Sequence, residues 1–342
     1  MSNSTSILII YTGGTIGMVH EPVTGTLVPI DFAHISRQVP ELQRFGFRLE
    51  TVTFDPVIDS SDVSPEVWNK LAVTIAERYD EFDGFVVLHG TDTMAFSASA
   101  LSFMLGNLEK PVIFTGAQLP IGMLRTDGKE NLITAIEIAA AKENGVSLVP
   151  EVCIYFEYRL LRGNRTTKRS AEHFNAFASP NLPPLAEAGL QIRYNNNIIR
   201  HPTVRGPLSV LTHFDTGVAI LKLFPGLGQE VVHSLLNSKG LHGIVLETYG
   251  TGNGPTQKWF FEELESFIMR GGIVMNVTQC QTGQVEMGLY ETSARLLSSG
   301  VISGGDITTE AAITKMMIVL GIRQGREKSE KMLSLSLRGE IS

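Results

Sequence analysis

Two α/β domains, each a mostly parallel sheet flanked by helices, form the fold class that this 342-residue sequence predicts. Three observations predict it. Short apolar, β-branched runs recur, each ending in Gly, Thr, Asp or Gln, and helical patterns lie between them. The rhythm breaks once, from about Glu187 to Gly206, and then resumes on a smaller scale. Strands that are apolar throughout must be covered on both faces, and alternation with helices gives a parallel sheet that is covered in that way.

In chain order the first runs are ILIIY before TGG, FVVLH before GTDT, PVIFT before GAQLP, and EVCIYF before EYRLLRGN. Helical patterns run from Pro65 to Tyr79 and from Ala95 to Leu105. Ser64 followed by Pro65 reads as an N-cap with proline at the first helical position. The break holds Asn195, Asn196 and Asn197, then Pro202 and Pro207, which reads as an extended connection. Beyond it come GIVLETYG, a helix from about Gln257 to Arg270, and GIVMNVTQC. A helix-like stretch near Leu289 to Ser299 follows, and VISGGD leads into Thr309 to Leu320. The expected division is an N-terminal domain over residues 1–190, a linker over 191–207 and a smaller C-terminal domain over 208–342.

Composition narrows the function classes. With 43% hydrophobic and 18% charged residues the chain can bury a large core and is not disordered. A net charge of −7, with only the short basic stretch Arg159 to Arg169, argues against gripping nucleic acid. Cys153 and Cys280 are far apart and lack CxxC spacing, so a reducing cytoplasm is expected. The residues MSNSTS carry no basic n-region, and no apolar stretch approaches membrane-spanning length. The eight histidines form no HExxH or Cys/His set, so no metal is expected. His89 is expected to be a hydrogen-bonded structural residue.

The turn TGGTIG, Thr12 to Gly17, admits three readings. As a dinucleotide fingerprint it lacks the first glycine, whose place falls on Thr12, and as a P-loop it lacks the Gly-Lys-Ser/Thr ending. It can be a plain strand-end turn. It can also leave the hydroxyls bare for chemistry, and a second hydroxyl-rich turn, HGTDT at His89 to Thr93, favours this. Turns after parallel strands share one edge, where ligands bind near a switch point. Thr15, Thr91 and Asp92 are therefore candidates for one cleft. A threonine hydroxyl needs a group to take its proton. Lys168, in GNRTTK after the fourth strand, is one candidate among several lysines.

The stretches ILIIYTGGTIG and FVVLHGTDTM resemble the two signatures of the L-asparaginase family of amidohydrolases. The likeness extends through DSSDVSPEVW, TGAQLP, RGNRTTK, FASPNLPPLAEAG and NVTQCQTG, and is nearest the cytoplasmic bacterial type I enzymes. The resemblance implies hydrolysis of L-asparagine to L-aspartate and ammonia, weaker action on L-glutamine, and homodimers or homotetramers. It implies Thr15 as nucleophile, and Thr91, Asp92 and Lys168 as a second hydroxyl–carboxylate–ammonium group. Asp92 would also take the substrate's α-ammonium, and Ser60, with Asp59 and Ser61 beside it, its α-carboxylate. Ala117 would lie near the leaving amide through its carbonyl. No metal and no other cofactor is implied. The alternative is an amino-acid-binding or sensory protein that keeps the cleft without turnover.

Three departures from the family pattern bear on these expectations. The segment MVHEPVTGTLVP, Met18 to Pro29, has no tyrosine, where many members carry one that orients the nucleophile; Thr26 is nearest, and Gly25 suits a lid. The resemblance implies an effector site for a second asparagine through an arginine, a threonine and a cysteine. Thr278 and Cys280 match, whereas the arginine position holds Glu247, which would repel the effector's carboxylate. In GTGNGP, Pro255 stands where secreted relatives have an asparagine that reaches a neighbouring subunit, so that contact is lost or moves to Asn253.

Overall fold

The computed structural model describes residues 4–20, 27–29, 39–202 and 206–342. The chain divides into two compact units, Met1–Thr212 and His213–Ser342. The first is built on an eight-stranded sheet: β1 (Ser6–Tyr11), β2 (Arg48–Thr53), β3 (Gly84–Leu88), β4 (Val112–Thr115), β5 (Val152–Phe156), β6 (Arg159–Arg162), β7 (Ala186–Ala188) and β8 (Ile192–Tyr194). The order across it is β8-β7-β6-β5-β4-β3-β1-β2. The strands from β5 to β2 pair in parallel, whereas β6, β7 and β8 add antiparallel edges.

This sheet is thus mixed, and the reason lies in EYRLLRGN. Glu157 and Tyr158 adopt φ of 43° and 65°, and the chain doubles back as β6 along β5. Successive positive φ values match the right-handed twist of a tight hairpin. Ile192–Tyr194, inside the stretch expected as a linker, pairs with β7 as the outermost strand.

Every residue of β1, β3, β4 and β5 is buried, as strands covered on both faces must be. The first unit's helices are α1 (Pro65–Glu77), α2 (Met94–Met104) and α3 (Gly128–Ala140). Leu132, Ala135, Ile136 and Ala139 of α3 pack with Ile9, Val86 and Ile113 in one core cluster. At α1, Ser64 is extended and Pro65 opens the helix, but the Ser64 hydroxyl donates to the Glu66 carboxylate at 2.5 Å instead of accepting a backbone N–H. On α2 the residues from Met94 to Met104 are buried except Phe96, so this helix lies in the interior of its unit.

The direction of winding reverses at β1. From β1 the chain passes to β2 on one side, then crosses to β3 on the other. The turns after β1 and β3 therefore flank a topological switch point, where open α/β sheets leave a crevice.

The second unit carries four parallel strands in sequential order, β9 (Val218–Lys222), β10 (Gly243–Thr248), β11 (Ile273–Thr278) and β12 (Ile302–Ser303). Its helices are α4 (Gln229–Leu236), α5 (Lys258–Met269), α6 (Glu291–Ser298), α7 (Thr309–Gly321) and α8 (Arg326–Ser334). Phe260, Phe261 and Leu264 of α5 join Leu221, Ile244, Leu246 and Val274 in its core. Lys315 of α7 is fully buried and pairs with the equally buried Glu340 at 2.7 Å. Its ammonium also donates to the Leu333 and Leu335 carbonyls at 2.9 and 2.6 Å, the kind of added bonding that a desolvated charge requires. Among the described residues no helix is long and apolar enough to cross a membrane.

Candidate active site

Three turns meet at the carboxyl edge of the first sheet. Gly13 and Gly14 follow β1 with φ of 142° and 92°, conformations that side chains rarely adopt. A methyl group on Gly14 would lie 2.5 Å from the amide nitrogen of Gly90, in the turn after β3. One on Gly90 would strike the Ser60 hydroxyl, and one on Gly13 the carbonyl of Ile58. The glycines of TGG and HGT are thus required for close backbone approach of these turns. Tyr11 completes the packing. Its buried phenol donates to the Gly14 carbonyl at 3.4 Å, and its ring fills the space that a side chain at Gly17 would take. Burial pushes this phenol up to about 12.

Thr15 opens a single 3-10 turn, Thr15–Gly17, and is half-buried. Ser60 begins a second such turn, Ser60–Asp62, and is buried. The Ser60 carbonyl accepts the Thr93 hydroxyl at 2.6 Å, which ties this turn to HGTDT. The Asp59 carboxylate caps the turn, accepting the Ser61 amide and the Ser61 hydroxyl at 2.8 Å each. Those two bonds, the amide first, hold its pKa below the ordinary carboxylate value. Asp59 and Ser61 satisfy each other, while the Ser60 hydroxyl lies against Gly90 at the centre of the cluster.

Thr91, Asp92 and Lys168 are in direct contact. The Lys168 ammonium donates to the Thr91 hydroxyl at 2.8 Å and to the Asp92 carboxylate at 2.7 Å. The route to this position differs from the expected one. Lys168 does not follow a parallel strand out of the edge; β6 runs antiparallel, away from it. The chain then makes a 3-10 turn, Gly163–Arg165, packed on Ala98 of α2, and returns towards the residues that precede α2. Arg162, paired with buried Glu151 at 2.6 Å, anchors the start of this return.

The turn after β4 closes the fourth side. Ala117 is buried, and Gly116 lies against the His89 carbonyl. Gln118, in the same turn, also joins this group. Its side-chain carbonyl accepts the Thr91 hydroxyl at 3.4 Å, and its backbone N–H donates to the Asp127 carboxylate. Its place in TGAQLP, next to Ala117, is the signal that could have found it. His89 is buried, and desolvation pushes its pKa down to about 4. Because the folded value is depressed from 6.5, the associated stability is fully present above pH 6.5 and is lost as the pH falls towards 4, by about 3 kcal/mol in total. Urea unfolding at pH 7 and pH 4 should therefore show a smaller acid-dependent loss in His89→Asn than in the parent. Equal losses would refute this.

Of the effector candidates, Thr278 and Cys280 lie together, whereas Glu247 stands on the other face of the sheet from Thr278. Thr278 donates to the Gly250 carbonyl at 2.6 Å and accepts the Cys280 amide at 3.0 Å. Glu247 stands beside Val277 in the register, on the opposite face of the sheet from the Thr248–Thr278 pair. Its carboxylate accepts the Thr309 hydroxyl at 2.6 Å and pairs with Lys222 at 3.2 Å. The Asn253 side chain is engaged within its own unit, accepting the Thr292 hydroxyl at 2.9 Å. Gly25 and Thr26 lie outside the described residues. Among the described residues no three His, Cys, Asp or Glu side chains gather in a way that could hold a metal.

A mixed α/β sheet with a hydroxyl–ammonium–carboxylate cluster at its switch point defines the class, that of α/β proteins with a polar, hydroxyl-lined site. The comparisons with known proteins are more specific. The N-terminal asparaginase model matches residues 6–200, and the glutaminase/asparaginase C-terminal domain model matches residues 217–333. The chain belongs to the asparaginase family of amidohydrolases. L-asparaginase 1 of Escherichia coli (strain K12) is 43% identical over 98% of each chain. The 60 kDa lysophospholipase of Homo sapiens is 41% identical over 98% of this chain, which spans 61% of that protein. Among solved structures, L-asparaginase I from Vibrio cholerae superposes with a TM-score of 0.88 at 39% identity, over 99% of both chains.

Proposed function

We propose that this chain is an L-asparaginase that hydrolyses L-asparagine to L-aspartate and ammonia, with weaker action on L-glutamine. The observation that carries the reading is the contact of Lys168 with both Thr91 and Asp92, beside a turn whose glycines fit it against the turn of Thr15. In this reading Thr15 attacks the side-chain amide carbon, nearby backbone N–H groups hold the oxyanion, and ammonia leaves. Water then cleaves the aspartyl ester. Thr91 and Lys168 move the protons, Asp92 holds the substrate's α-ammonium, Ser60 its α-carboxylate, and the Ala117 carbonyl faces the leaving amide. The reading requires no metal. It also includes a homo-oligomer working in the cytoplasm, as the family resemblance suggests.

Release of ammonia from L-asparagine and from L-glutamine tests the proposal. Turnover of asparagine with a higher kcat/KM than glutamine is expected; binding without ammonia release would instead mark an amino-acid-binding protein. The rate should rise hyperbolically with asparagine, because Glu247 is a carboxylate where the family's effector site has an arginine, and it is committed to Thr309 and Lys222. A sigmoidal curve abolished by Thr278→Ala would overturn that expectation.

A further inference from the structure

The turn that presents Thr91 and Asp92 is anchored by a buried chain of hydrogen bonds that enters it from behind. Trp68 on α1, Ser97 on α2 and His89 at the end of β3 are all buried. The Trp68 indole nitrogen lies 2.9 Å from the Ser97 oxygen, and that oxygen 2.9 Å from His89 Nε2. His89 Nδ1 lies 2.7 Å from the carbonyl of Gly90. An indole N–H only donates, and a carbonyl only accepts. The Ser97 oxygen therefore accepts from Trp68 and donates its own proton to Nε2, while Nδ1 carries the ring proton and donates it to Gly90. The ring is neutral, since complete burial makes the cation costly.

We infer that His89 is a positioning residue for hydrolysis, and that the Trp68–Ser97–His89 chain fixes its Nδ1–H tautomer and thereby the Gly90 carbonyl and the Thr91–Asp92 turn. The inference rests on the hydrolase reading above. Gly90 is the residue against which Gly14 and Ser60 pack, so its peptide is the common support of the nucleophile turn, the carboxylate-binding turn and the proton-moving pair. The opposite ring tautomer would set a lone pair against the Gly90 oxygen and release that peptide. The chain also ties two helices to one strand end, which gives a tryptophan and a serine a place behind this turn.

Three single substitutions in the full chain test the inference, each followed by steady-state kinetics, thermal unfolding and ¹⁵N-histidine NMR. His89→Gln removes the donor at the Nδ1 position, and kcat should fall roughly tenfold or more, as small misplacements of reacting groups do. His89→Asn keeps an N–H at that position and should recover most of the loss, although both variants lose the same ring and should lose similar thermal stability. Ser97→Ala should lower kcat roughly fivefold or more, by the same misplacement, and shift the His89 signals away from the Nδ1–H pattern. In the parent, the neutral Nδ1–H signature should persist at pH 7. Equal kcat losses in the Gln and Asn variants, or an Nε2–H or doubly protonated ring in the parent, would overturn the inference. A parent without amide turnover would overturn the hydrolase reading and the catalytic half of this inference with it. The NMR result still judges the hydrogen-bond chain separately.

Discussion

Replacing Thr15 by alanine is expected to reduce asparagine turnover by a factor on the order of 10⁴ or more, the scale seen when a covalent nucleophile is removed. The fold should not change. The local backbone is shaped by Gly13, Gly14 and the Tyr11 ring beneath Gly17, and none of these is altered. Thr15→Ser keeps an oxygen at the same place and should retain measurable turnover, although the smaller side chain is less restrained in rotamer. Steady-state ammonia release, with circular dichroism and thermal unfolding alongside, checks both. An alanine variant within tenfold of the parent would end the case for Thr15 as nucleophile.

Lys168→Met should lower kcat by roughly 10²–10⁴, the range associated with loss of a positioned proton-transfer group. Methionine keeps an unbranched, flexible side chain one atom shorter than lysine and cannot donate to Thr91 or Asp92, the two bonds that Lys168 makes here. Stability should respond far less. Asp92 is 65% exposed, so solvent screens the ion pair and its contribution is at most about 1 kcal/mol. A large kinetic loss with a small shift in unfolding midpoint marks a group held for chemistry. Parallel losses of activity and stability would mark Lys168 as structural.

Legibility in the sequence followed local physics. ILIIY, FVVLH, PVIFT and EVCIYF are apolar along their whole length because they are buried on both faces, so each could be read without a partner in view. The edge strand Arg48–Thr53 is half-exposed and carries charges at Arg48 and Glu50, which hides it among loop residues. The same holds for Ile192–Tyr194, three residues whose pairing with β7 comes only from the assembled sheet. At the site, the hydroxyl-rich turns were visible because glycines and threonines cluster at strand ends. The contact of Lys168 was not derivable from spacing, since it depends on a strand that turns back and a segment that returns along α2. His89 was legible as a structural residue, but its bonding to Ser97 and Trp68 joins positions 8 and 29 residues apart in sequence on two helices. No periodicity encodes such a meeting.

The packing of Gly14 on Gly90, and of Gly90 on Ser60, has an evolutionary consequence. Mutations at these positions must be strongly epistatic, because enlarging any one of them displaces the other two loops as well. Neutral drift is therefore blocked at the centre of the constellation, and any retuning for a longer or shorter amide has to come from the periphery, where side chains change without moving the peptide planes.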